Sequence, residues 1–268
     1  ILVRKGIYHE IINVDKKVII RGEDMFTTVI SPSSKRNGFA ILVRAKGAVL
    51  ENLNITNKGT GMYAQAVKIV SSNVKMINCL VHDVPVGVSI WTSNNLIKNC
   101  EFWNCKDEGI VFVGAKYSNC NNNTVIGCSF HNNGDGIELQ CAVNNIIVNC
   151  KMYNNSHSGI DVLDPYSTNN IILNCVIVGN GYGVLLYPGN KLENCTIEKN
   201  KYENLATNGF FGFPAKNKIG TIRSDIKNFF ARRILSRFSL HAVSSLLSIF
   251  TIYRSCLLYT SPSPRDRG

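Results

Sequence analysis

Apolar and polar positions alternate along this chain in short bursts, and the bursts recur. Gly87-Val88-Ser89-Ile90-Trp91, Gly109-Ile110-Val111-Phe112-Val113, Gly136-Ile137-Glu138-Leu139-Gln140, Gly159-Ile160-Asp161-Val162-Leu163 and Gly183-Val184-Leu185-Leu186-Tyr187 each place apolar residues one and three positions after a glycine. The copies lie 22, 27, 23 and 24 residues apart, and Ala66-Val67-Lys68-Ile69-Val70 is an earlier one. A period of two with one apolar face predicts a β-strand buried on one side.

A second element follows each burst. Asn78-Cys79, Asn99-Cys100, Gly127-Cys128, Asn149-Cys150, Asn174-Cys175 and Asn194-Cys195 recur at the same period, with Asn52-Leu53 as an early version. Three residues before the Cys or Leu stand Leu50, Met76, Ile97, Val125, Ile147, Ile172 and Leu192, and two after it Ile55, Val81, Phe102, Phe130, Met152, Ile177 and Ile197. Both sets point inward with the Cys, so strict alternation slips by one at the Asn and the chain must bend there. Asn and Gly are the residues that most readily take a left-handed backbone, and only they occupy this position. Stacked Asn amides at the bend are expected to hydrogen-bond from coil to coil.

Strand, bend, strand and loop, repeated about seven times or more, predict an all-β solenoid: a right-handed parallel β-helix. Coils about 4.8 Å apart make seven of them a rod of roughly 35 Å, and the right hand is the expected one for parallel connections. The inward Cys column is then a stack of free core thiols, since side chains pointing the same way from adjacent parallel strands are badly placed for disulfides.

The start of the chain adds a resemblance. Gly6-Ile7-Tyr8-His9-Glu10, then Val18-Ile19-Ile20-Arg21-Gly22-Glu23, then Thr28-Val29-Ile30 resemble the opening coils of the pectin-lyase-like superfamily. They are most similar to the parallel β-helix repeat proteins labelled NosD-like, after a periplasmic protein of nitrous-oxide reductase maturation. The resemblance spans about residues 1–205 and rests on structural motifs, so it implies a fold and leaves the activity open. Residues 1–35 form N-terminal coils, 36–205 the main coils, and 206–226, with Gly209, Gly212, Pro214 and Gly220, an exit loop. The strand pattern is then lost. Residues 227–255, with Phe229, Phe230, Ile234, Leu235 and Phe238 at helical spacing, predict an amphipathic helix that caps the solenoid or lies on a membrane surface. Residues 256–268 resemble a translated sequencing adapter and read as a non-native tail. The chain opens inside a strand, so its true N-terminus is expected upstream, and the lack of a signal peptide is no evidence for a cytoplasmic location.

Composition changes this picture little. Apolar residues make up 45% and charged residues 18%, enough for a core. The net charge of +11 invites a nucleic-acid partner, but residues 221–255 alone carry six basic residues against one acid. No basic run interleaved with aromatics remains in the coils, so no nucleic acid is expected.

Stacking turns outward positions into columns. Two after the glycine the column is Lys68, Ser89, Val111, Glu138, Asp161, Leu185; four after, it is Val70, Trp91, Val113, Gln140, Leu163, Tyr187. Glu138 and Asp161 are thus expected one coil apart, with Asp135 and Asp164 close by and Asp107 and Glu108 preceding Gly109. Acids flanked by aromatics suit a sugar polymer, because aromatic faces stack on sugar rings and paired acids can divide acid and base roles. Trp91, Tyr187, Tyr166, Gln140 and Asp135 are the expected carbohydrate-binding residues, and Asp161, Glu138 and Asp164 the candidate catalytic ones. The catalytic signatures of the polygalacturonases, pectate lyases and pectin methylesterases are absent. Asp164-Pro165-Tyr166-Ser167 resembles the D-P-H-D motif of β-helix alginate epimerases, with Tyr166 in place of the His and Ser167 in place of the second Asp. No metal and no cofactor are expected: His82 and His131 fall two coils apart, about 9.6 Å, with Trp103 between them, too far to share an ion. The reading is an extracytoplasmic repeat protein (secreted, cell-surface or periplasmic) that binds a glycan on its outer face. The alternatives are a polysaccharide lyase, hydrolase or epimerase, and a purely structural module.

Overall fold

Each coil carries three short strands, and from Asn52 onward left-handed corners join many of them. The structure, a computed structural model, describes residues 1–115 and 120–207. All but two of the described strands fall into three parallel nine-stranded sheets, so the solenoid has about nine coils; Cys120–Asn121 and Ala142–Val143 form a separate two-stranded sheet. One central coil shows the plan: Ile146–Val148 in the first sheet, Lys151–Tyr153 in the second and Ser158–Val162 in the third. The sequence pattern of strand, bend, strand and loop thus leaves out one strand per coil. The last described strand runs Glu203–Thr207, so all but the first two residues of the exit loop expected over 206–226 lie outside the described residues. The expected helix 227–255, its membrane contact and the tail 256–268 lie outside the described residues.

The predicted bend is present. Asn52, Asn78, Asn99, Gly127, Asn149, Asn174 and Asn194 all have φ between 50° and 65°. A backbone in this region costs most side chains about 1–2 kcal/mol and costs Asn and Gly less. The other two corners turn the same way, at Asn132, Asn154 and Gly179 and at Asn94, Asn122, Asn144, Asn169 and Gly189.

The amide ladders, expected at the bend before the Cys, run instead one residue after these other two corners. Asn133 Nδ2 donates to Asn155 Oδ1 (3.0 Å), Asn155 to Asn180 (2.8 Å) and Asn180 to Asn200 (3.1 Å). A parallel series joins Asn123, Asn145, Asn170 and Asn190. Each amide oxygen also accepts the backbone N–H of the preceding ladder Asn, as from Asn133 to Asn155 at 3.0 Å. The ladders fall here for a physical reason. The corner Asn spends its conformation on the turn, while the next residue points inward, where buried N–H and C=O groups need partners.

Within the coil, Phe102 and Phe130 stack at 4.8 Å, and Met152 and Ile177 continue that column. The six thiols of the Cys column are buried and free. Sγ of Cys100 accepts the N–H of Cys79, and Sγ of Cys128 that of Cys100, both at 3.4 Å. Burial pushes the Cys79, Cys128 and Cys175 thiols far above the ordinary value, away from the reactive thiolate. Because all six are buried, Ellman's reagent added to the folded protein should leave them unmodified, and denaturant should release all six. Prompt reaction in the folded state, read by mass mapping, would show that the column is not closed.

Candidate functional site

The third sheet builds the site, and the repeat glycine sets its geometry. Glu108 pairs with Asp135 and Ile110 with Ile137 across neighbouring coils; likewise Asp135 pairs with Ser158 and Ile137 with Ile160. The glycine lies between these pairs and outside simple alternation. In consequence the residue before it and the residue two after it share the outer face. A side chain at the glycine itself would collide with the next coil: a Cβ on Gly109 would lie 2.8 Å from the Gly136 carbonyl oxygen.

Glu138 and Asp161 are in register, one coil apart, as the column predicts. They do not form a solvated acidic surface. Asp161 is 3% exposed, and Asp135, Glu138 and Glu108 are also buried. Asp135 joins them through His157, whose Nδ1 lies 2.8 Å from Asp135 Oδ1. Asp107 completes a group of five carboxylates and one imidazole on three coils.

The electrostatics follow from packing like charges where water is scarce. Burial, then the Asp107 and Glu138 charges, push the Glu108 carboxyl up to about 8. Burial also raises Glu138, against the hydrogen bond it accepts from the Gln140 amide. Burial and the Asp135 charge raise Asp107. The hydrogen bond to Asp135 raises His157. Such displaced values are common at functional sites.

Other predicted residues are placed differently. Asp164 holds its own loop: its oxygens accept from the backbone N–H groups of Cys141 (2.6 Å), Tyr166 (2.8 Å) and Ser167 (3.0 Å). Gln140 lies beside Glu138 through the bond already given. Trp91 is 44% exposed; its Nε1 donates to Ser89 Oγ at 3.0 Å, and the Lys68 ammonium lies 4.4 Å from the ring centre. Tyr166 is exposed, and Tyr187 is half-buried against the core.

The sequence pattern places Asp107 and Glu108 near the acids without giving them a role, and it does not pick out His157. Their signal lies one and two positions before the glycine, where the pairs are Asp107-Glu108, Gly134-Asp135 and His157-Ser158. Gly134 leaves the space between Asp107 and His157 free of a side chain. Strict alternation from the glycine hides these columns.

The second sheet keeps His82 and His131 apart, as expected. His82, Trp103, His131 and Tyr153 form a continuous ring stack, with centroids 4.3, 6.1 and 4.7 Å apart. The corner between this stack and the acid cluster carries a shallow groove lined by Asp83, Asn104, Lys106, Asn132, Asn154 and Ser156.

Comparison with known proteins agrees with this architecture. Residues 18–124 and 112–217 match the family described as "Right handed beta helix region". No curated protein matches the chain by sequence. Among solved structures, pectin methylesterase from carrot superposes with a TM-score of 0.60 at 13% identity, covering 85% of this chain and 80% of that one. The pectate lyase Pel9A gives 0.57 at 14%, covering 84% and 72%. Tailspike protein 2 of Escherichia coli O157:H7 bacteriophage CAB120 gives 0.53 at 11%, covering 72% of this chain. The chain spans 30% of that tailspike's length. At these identities the likeness is one of fold.

Proposed function

Because the chain belongs to the right-handed β-helix family, we propose that it binds a carbohydrate polymer along the outer face of its third sheet, outside the cytoplasm. The observation that carries this reading is the pairing, on one face, of an exposed Trp91 with a line of polar and apolar side chains in register. From Trp91 through Gln140 to Leu163 and Tyr187 this line crosses five coils, roughly 19 Å at the usual strand spacing. One face of the Trp91 ring is covered by Lys68, leaving the other for a sugar ring. The solved structures of like fold include enzymes named for pectin, which supports a polymer of that general kind. An extracytoplasmic place fits such a polymer, and burial shelters the free thiols there.

The competing reading is a polysaccharide lyase, hydrolase or epimerase using Asp161, Glu138 and Asp164. The raised carboxyls favour it. Against it, Asp161 and Glu138 are nearly closed to solvent and Asp164 is engaged in its loop. A panel of neutral and uronic polysaccharides, read for both retention and product release, separates the readings. Binding without product is expected. Trp91→Ala should weaken it about tenfold, the scale of one lost aromatic contact, while Glu138→Gln with Asp161→Asn should retain it. Product release that the acid substitutions abolish would establish the enzyme instead. Failure to bind any polymer would leave a structural module.

A further inference from the structure

The acid cluster contains an arrangement that carbohydrate binding does not use. We propose that Asp135, His157 and Asp161 form a binding site for a borderline divalent metal ion, with zinc as its representative. Such a site is independent of glycan binding.

One ligand atom from each of the three residues lies within 4.8 Å of the other two. Donors held about 2.0–2.2 Å from a common ion sit roughly 3–4 Å apart, so closing the site needs only a small inward movement. The chain supplies that proximity through its register. Asp135 and Ser158 pair across adjacent coils, as do Glu138 and Asp161, and His157 precedes Ser158. The His157 N–H donates to the Gly134 carbonyl at 2.9 Å, and the Tyr182 N–H to the His157 carbonyl. These bonds hold the His157 backbone, and the His157 Nδ1 lies 2.8 Å from Asp135 Oδ1.

A second observation points into the same place. Among the described residues, the buried side-chain oxygens with no hydrogen-bond partner are Glu108 Oε2 and Ser158 Oγ. Glu108 is 7% exposed and Ser158 is fully buried. They flank Asp135 in the same column, one coil to each side. Buried polar atoms are normally satisfied. Two such orphans on either side of a three-donor set mark a place where an ion and its water ligands would supply the missing partners.

The donor set argues for the class of ion. Two carboxylates and one imidazole suit zinc and its neighbours, whereas calcium prefers an all-oxygen shell of six to eight donors. The His157 side chain is 52% exposed, which gives an ion a route in and leaves a coordination position facing solvent. The nearby Asp107 and Glu138 carboxyls, with no basic side chain other than His157 among the cluster's residues, favour a cation over an anion.

The test is isothermal titration of zinc chloride into the chelator-stripped protein, with melting temperature as a second readout. Saturable binding of one zinc per chain and a raised melting temperature are expected. His157→Ala, a change at a half-exposed side chain, should weaken binding at least about 100-fold, beyond the 10–100-fold typical of supporting residues. His131→Ala, in the separate ring stack, should leave it unchanged. Asp161→Asn is a further check, provided circular dichroism shows that the variant folds. No saturable zinc binding, or binding indifferent to His157→Ala, would overturn the proposal. So would calcium binding as tightly as zinc. None of these outcomes bears on glycan retention by Trp91, so the two proposals fail separately.

Discussion

Gly136→Ala is expected to destabilise the solenoid by about 3 kcal/mol, at the upper end of the usual cost of overpacking. For a chain of this size that lowers the melting temperature by roughly 6–12 °C. A Cβ at Gly136 would press on the carbonyl oxygen of Gly159 in the next coil. It would also meet Met152 Cγ at 3.2 Å and Asn155 Nδ2 at 3.4 Å. The carbonyl is backbone held by its own ladder and cannot move aside without separating two coils. A useful contrast is Gly127→Asn. Gly127 has φ of 65°, and the equivalent corner in the other coils is Asn. The added Cβ would meet the Asn99 amide oxygen at 2.7 Å, the movable end of a side chain. That variant should lose less than about 1 kcal/mol, because Asn tolerates the left-handed region. Thermal melts of the two variants distinguish a glycine kept for close approach from one kept for its dihedral angle. Equal losses would mean that the coils are not packed as described.

The second large effect is on pH. Glu108 has an ordinary carboxyl value of 4.5 when unfolded and about 8 when folded. Over that window the folded state holds a proton that the unfolded state has released. Its contribution is therefore intact below about pH 4.5 and is lost progressively as the pH rises to about 8. His157 acts in the same direction, since its value is raised in the fold, so its contribution too is present below its unfolded value and lost at higher pH. Each tenfold change in proton affinity on folding is worth about 1.4 kcal/mol. Discounted for its charged neighbours and partial solvation, Glu108 alone should cost roughly 2–4 kcal/mol between about pH 4.5 and 8.5. Glu108→Gln removes this dependence, because a neutral amide has nothing to release. The measurement is the melting temperature at about pH 5 and about pH 8.5 in chelating buffer, the two ends of the window in which linkage operates. The natural chain should lose clearly more than the variant; identical losses would mean that Glu108 does not carry a buried proton.

Much of this was legible in the sequence, for one reason. In a solenoid each coil repeats the same contacts, so a column in the sequence is a column in space. That logic places the Cys stack in the core, the Asn bend before it, and Glu138 beside Asp161. It fails where alternation breaks. The repeat glycine inserts an extra residue into the strand, so Glu108 and Asp135 share the outer face with Glu138 instead of pointing into the core. The Asn-Asn pairs at residues 94–95, 122–123, 132–133, 144–145, 154–155 and 169–170 each encode a corner and then a ladder rung. Only the bend before the Cys is readable from the apolar pattern. Burial was the other hidden quantity. Columns show which residues stand together, but not that Asp161 and Glu138 are shut away from water. Asp164 also has a local role that the column does not show: in Asp164-Pro165-Tyr166-Ser167 it caps its own turn.

One register gathers acids from three successive coils into a single coupled cluster, and on that the whole account depends. Its most direct test is the titration of the Glu108 side-chain carboxyl by carbon-detected NMR in metal-free protein, alone and with Glu138→Gln. The structure predicts a midpoint near 8, moved downward when the Glu138 charge is removed. A midpoint near the ordinary 4.5, unmoved by Glu138→Gln, would contradict it.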